Sequence, residues 1–162
     1  MNARLTLIDP ARATGPQKEL LDAVKAKMGL VPNLTRALAN SPAALKSYLD
    51  FSGALAGSSL SARQREQLAL AVAEVNACGY CLSAHTLIGG KLGLKEEQVL
   101  DARRGLADDA KTGALLKLAQ RIVLERGHLK DADLRVAYGV NDTQDTMGEG
   151  MYVLIRQDYA TP

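Results

Sequence analysis

Apolar positions along the chain recur at intervals of three and four, and the positions between them are filled largely by Ala, Lys, Arg, Glu and Gln. β-branched alternation is nearly absent, so local preferences point to helix almost throughout. The pattern predicts an all-α bundle forming one domain over residues 1–162. A first helix follows Gly15-Pro16, because proline is favoured at the first helical position, and runs through Leu20, Leu21 and Val24 to a stop at Gly29. Val31-Pro32-Asn33 then breaks the chain. Ser41-Pro42 opens the next helix with serine as cap, and Leu45, Tyr48, Leu49 and Leu55 carry it to Gly57.

Leu60-Ser61 begins a third helix, in which Ser61 and Gln64 have the spacing of a capping box and Leu68, Val72 and Val75 form an apolar stripe. Asn76 is the expected cap of a further helix that ends at Gly93. Others are expected over 95–104, 109–126 and 131–138, with a last one from about 142. Gly148 and Gly150 weaken that last helix by roughly 1 kcal/mol each relative to alanine. The chain contains no internal repeat, low-complexity tract or linker.

Composition narrows the function classes. A chain of 162 residues can bury a sizeable core without disulfide or metal staples. Its 20 Lys and Arg oppose 18 Asp and Glu, a net charge of +2, and the signs alternate. Nothing in that balance asks for nucleic acid or an anionic membrane. The start, MNARLTLIDP, lacks the basic and then apolar layout of a secretory signal, and the longest apolar run, LALAVA at 68–73, is too short to span a bilayer. The expectation is a soluble cytoplasmic protein. In that reducing compartment a lone cysteine pair is more often catalytic or metal-binding than a structural bridge.

The stretch EVNACGYCLSAH, residues 74–85, holds the only two cysteines and one of the two histidines. If 77–92 is helical, Cys78, Cys81 and His85 fall at i, i+3 and i+7, along one face. The N-terminal end of a helix carries unpaired N–H groups and partial positive charge, both of which favour a thiolate over a thiol. A thiolate there can attack a peroxide oxygen to give a sulfenic acid, and a thiol one turn away can condense with it as a disulfide. His85 could take the thiol proton or steady the thiolate.

Other readings fit the same residues. Free cysteines often pack as small hydrophobes, although Asn76, Tyr80, Ser83 and His85 make these surroundings polar. Zinc could be held by Cys78, Cys81 and His85 with His128 as a fourth ligand, but His128 sits in RGHLKD, which reads as a solvated turn. A thioredoxin-like motif expects a βαβ context that is missing here.

With LSARQREQLALAVAEVNACGYCLSAHT the chain resembles the carboxymuconolactone decarboxylase superfamily, and within it the alkylhydroperoxidase D (AhpD)-like branch. Its pattern is a glutamate, CxxC twelve residues later, and then AH; Glu66, Cys78, Cys81 and His85 match that spacing in full. The likeness continues upstream in GLVPNLTRALANSPAALKSYL, typical of the peroxidase-related members, and downstream in KLGLKEEQV and GHLKDADL, with the motif core at about 45–105. The resemblance implies an AhpD-like helical bundle that acts as a thiol-dependent hydroperoxide reductase. Cys81 would be the peroxide-reactive thiol, Cys78 the partner that closes the disulfide, and His85 with Glu66 a proton relay. It implies a lipoylated or thioredoxin-like dithiol as reductant, a homotrimer or a hexamer of trimers, and no prosthetic group.

Read without the family, Glu66 is a solvated helix carboxylate, and Glu74 is a competing carboxylate whose bland reading is a surface residue. Two departures stand out. Tyr80 occupies the position before the second cysteine where the best-known members have histidine; a phenol, with a pKa near 10, can donate a hydrogen bond to a thiolate but is a poor base near neutrality. After GVNDTQ the chain continues DTMGEGMYVLIRQDYATP in place of an apolar helix rich in Ile, Val and Ala. General thiol-disulfide exchange, and a metal-binding or structural helical oligomer, are the alternative functions.

Overall fold

The computed structural model describes residues 5–130, and among them every regular element is an α-helix. The expected helices at 131–138 and from 142 lie outside the described residues. The chain forms two compact units, divided between Gly57 and Ser58.

The first unit holds α1 (Gly15–Met28), α2 (Asn33–Leu38) and α3 (Pro42–Ala56). Helix α1 begins with Pro16 in its first turn and ends at Gly29, whose φ of 75° is the left-handed conformation that glycine adopts without penalty. Ser41 caps α3 by accepting the N–H of Ala44. Helix α2 was not expected: the break at Val31-Pro32 is real, but one short helix follows it at once. Its buried Thr35 directs its hydroxyl to the Pro32 carbonyl at 2.8 Å. Ala13, Leu21, Ala39 and Leu45 form the core of this unit. Gln17 and Arg36 tie its loops down through Ala39 O at 2.7 Å and Ile8 O at 2.9 Å.

The second unit is built around α4 (Ala62–Val75), which packs against α5 (Gly79–Lys91), α6 (Glu96–Arg103) and α7 (Ala110–Leu124). The capping box expected at Ser61 and Gln64 is formed in both directions. The buried face of α4 differs from the expected stripe. Gln67, Leu70, Ala71 and Ala73 are buried, whereas Leu68, Val72 and Val75 are only partly so. Three neighbours surround α4, so its small alanines face inward and let backbones approach, and no single 3.6-period stripe describes it. Leu70, Ala71, Leu94, Val99, Ala102 and Leu116 form the core. Burial of each leucine there contributes about 1.5–3 kcal/mol.

The four described helices of this unit end in the same turn, with a residue at positive φ and an N–H reaching back five residues. Gly93 and Gly105 supply that residue after α5 and α6; Ala77 and Arg126 supply it after α4 and α7. The turn after α4 corrects another expectation. Asn76 is the C-cap that follows Val75 at the end of α4, and the next helix is capped by Cys78 and starts at Gly79, closing at Lys91 with Leu92 as its cap.

Candidate active site

The site begins with the α4–α5 turn. The Ala77 N–H donates to Glu74 O at 2.9 Å and the Cys78 N–H to Ala73 O at 3.0 Å, with Ala77 at φ 50°. These two bonds place Cys78 both just past the end of α4 and at the N-cap of α5. Cys78 is therefore not inside the helix, as a helix over 77–92 would require. Its Sγ accepts the N–H of Cys81 at 3.3 Å, the bond that a serine or aspartate cap ordinarily makes. The same sulfur is joined to Cys81 in a disulfide whose Cα atoms lie 5.3 Å apart. Both cysteines are half-buried.

His85 lies four residues beyond Cys81 on α5, and the i, i+4 spacing puts the two on one face. Its Nδ1 stands 2.7 Å from Oε2 of Glu66. Periodicity alone could not settle this contact, because Glu66 belongs to α4 and meets His85 only through the packing of the two helices. The Glu66 side chain is 16% exposed and that of His85 32%, so the pair is shielded yet reachable. A carboxylate only accepts hydrogen bonds, so it pairs with the tautomer that carries its proton on Nδ1, the form in which the lone pair of Nε2 can act as a base.

Tyr80, between the cysteines, is 48% exposed. Glu74, the competing carboxylate, is engaged elsewhere: its Oε2 lies 2.6 Å from Nε of Arg103, an ion pair between α4 and α6. His128 is exposed in the turn that follows α7. Among the described residues no three His, Cys, Asp or Glu side chains are grouped so as to hold a metal ion. Nor does any described helix have the length and apolarity to cross a membrane. A separate polar cleft of about 420 Å³, lined by Gln64, Gln67, Gln98, Asp108 and Thr112 among others, opens where α4, α6 and α7 begin. The residue that sequence reasoning missed is Ala77. Its left-handed backbone sets the position of Cys78, and an alanine carries no signal for that conformation.

The pattern of the carboxymuconolactone decarboxylase family matches residues 42–123, just over half of the chain, from the start of α3 to the last turn of α7. The chain belongs to this family. Solved structures show its fold. An uncharacterized peroxidase-related protein from Silicibacter sp. TM1040 is similar with a TM-score of 0.74 and 23% identity, over 89% of this chain and 77% of that one. An uncharacterized peroxidase-related protein from Ralstonia eutropha JMP134, described as an alkylhydroperoxidase AhpD core, gives 0.70 and 23%, over 88% and 77%. An alkylhydroperoxidase AhpD core from Rhodospirillum rubrum gives 0.59 and 26%, over 82% and 98%. The fold of this family member is thus the AhpD-like helical fold. No protein of curated function matches the chain.

Proposed function

We propose that this family member is a thiol-dependent hydroperoxide reductase. The observation that carries the reading is the Glu66–His85 contact of 2.7 Å on the same two helices that hold the Cys78–Cys81 disulfide. In the reduced protein, His85 takes the proton of Cys81 and Glu66 stabilises the imidazolium that results. The Cys81 thiolate attacks the terminal peroxide oxygen. The O–O bond breaks, the alcohol leaves with the proton returned from His85, and Cys81 becomes a sulfenic acid. Cys78 then attacks Cys81 Sγ, water departs, and the disulfide closes. An external dithiol, lipoylated or thioredoxin-like, supplies the two electrons that reopen it. The family name alone does not direct the reading to lactone decarboxylation, since decarboxylase members do not depend on a CxxC.

Mixing the reduced protein with an alkyl hydroperoxide in a stopped-flow instrument tests this. Two thiols should disappear per peroxide consumed, and both Cys81→Ser and Cys78→Ser should lose steady turnover. Unchanged thiol content would end the proposal. The exposed Tyr80 beside the disulfide favours a second reading, exchange with a protein or lipoyl disulfide, in which thiol exchange is fast and peroxide turnover slow. The likeness to the family adds a homo-oligomer to this proposal, with a trimer or hexamer as its form.

A further inference from the structure

The α4–α5 turn treats the two sulfurs unequally. The Cys81 N–H is directed at Cys78 Sγ at 3.3 Å, so the sulfur at the helix cap has a backbone donor of its own. Cys78 also sits at the N-cap of a 13-residue helix, where the first N–H groups lack intrahelical partners and the helix dipole is positive. Negative charge developing on Cys78 Sγ therefore meets a donor already aligned with it, and a hydrogen bond to an ionised acceptor is roughly twice as strong as a neutral one. Cys81, at the third helical position, has instead the shielded His85–Glu66 pair one turn further along the same helix.

Thiol-disulfide exchange proceeds faster when the departing sulfur is the better-stabilised thiolate. Resting on the hydroperoxide-reductase reading, we propose that the external thiolate that reopens the disulfide attacks Cys81 and expels Cys78 as the thiolate. In this step a bond forms between the donor sulfur and Cys81 Sγ, while the Cys78–Cys81 bond breaks and its electron pair stays on Cys78 Sγ. The second thiolate of the donor then attacks the donor's own sulfur in the mixed disulfide. The donor closes to its disulfide, oxidised by two electrons, and Cys81 departs with its proton delivered through His85. Cys81 is then the sulfur that meets both outside reagents, peroxide and reductant. Cys78 is the internal partner in both halves of the cycle.

The test needs no peroxide. Oxidised wild-type protein is mixed with excess 2-mercaptoethanol, quenched in acid at short times, and the adduct is located by peptide fragmentation. Adduct on Cys81 should exceed adduct on Cys78 by about fivefold or more. An even split, or a majority on Cys78, overturns the proposal. The same mapping on His85→Asn should keep the preference for Cys81, because the selecting donor is a backbone amide. A reversal there would show that the imidazole selects, and would equally overturn it. Peroxide turnover by the same preparation is read separately: adduct on Cys81 without turnover sinks only the peroxidase reading, and turnover with adduct on Cys78 sinks only this inference.

Discussion

Helices α5 and α7 both pack on α4, but they are fastened differently. Along α7, Thr112, Leu116, Leu118 and Ala119 are buried, so a continuous inward face holds it. In α5 the only buried residue is Gly89, while Tyr80 and Leu87 lie exposed. That helix is held at particular points. Cys78 caps and cross-links its start, His85 meets Glu66 at its middle, and Gly89 packs so closely on Leu94 that an added Cβ would lie 2.8 Å from Leu94 Cδ1. A helix fastened by packing tolerates little change in its core. A helix fastened at points can carry reactive groups at those points, and its loss of function need not be a loss of fold.

The largest effect should therefore come from α5 and should fall on rate alone. His85→Asn removes the proposed base and should lower peroxide turnover by about 10²–10⁴-fold, the range of a general base, or roughly 3–5 kcal/mol of barrier. Because the His85 side chain is one-third exposed, the denaturation midpoint should shift little. Parallel urea melts and turnover assays check this, and a variant that loses turnover only because it unfolds would erase the distinction between the helices. The converse belongs to α7. Leu116→Ala empties a fully buried site and should reduce stability by about 2–5 kcal/mol, whereas Leu87→Ala on α5 should change it by no more than about 0.5 kcal/mol.

This contrast also explains what the sequence could tell. The capped starts at Ser41 and Ser61 and the stop at Gly29 were legible, because each is a local choice that hydrogen-bonds within a few residues. The four residues Glu66, Cys78, Cys81 and His85 were singled out by their match to the family pattern, Glu66 by that match alone. The meeting of Glu66 and His85 was not legible, because they lie 19 residues apart on two helices and only the packing brings them together. The buried face of α4 was misread for a related reason: alanine is neutral in an apolar pattern, and three neighbours decide which alanines turn inward. At Asn76 the reading failed because both residues are plausible caps. A polar side chain at position 76 outweighed the possibility that sulfur could take the role at position 78.

The caps of the two helices can be separated by pH. Asp109 caps α7, and the backbone N–H of Thr112 at 2.8 Å, with a further bond from the Thr112 side chain, holds its carboxyl below the usual aspartate range. A carboxyl lowered in the folded state contributes stability above the unfolded value near 3.9 and loses it as pH falls through the folded value. Asp109→Asn keeps an accepting oxygen without the titration. The stability gap between wild type and this variant should be widest near pH 6 and should close in the acid range, as followed by urea midpoints. Asp109→Ala should remove about 1 kcal/mol near neutrality. The sulfur cap of α5 has no such acid step while the disulfide is closed, and a gap that persists unchanged at low pH would contradict the role given to the Asp109 charge.

The smallest effect tests the turn that sets Cys78 in place. Ala77 holds a left-handed φ of 50°, where Gly93 holds 84° in the same hydrogen-bonded turn after α5. That conformation costs a residue with a Cβ about 1–2 kcal/mol, while an alanine saves roughly 0.4–1 kcal/mol of unfolded-chain entropy relative to glycine. Ala77→Gly should therefore stabilise the fold slightly, by about 0.5 kcal/mol, and raise the melting temperature by about 1–2 °C for a chain of this size. Gly93→Ala should do the opposite by a similar amount, since it moves one turn toward the chemistry of the other. If Ala77→Gly is instead destabilising, the turn relies on alanine for rigidity, and the exchange rate of the disulfide in that variant should fall with it.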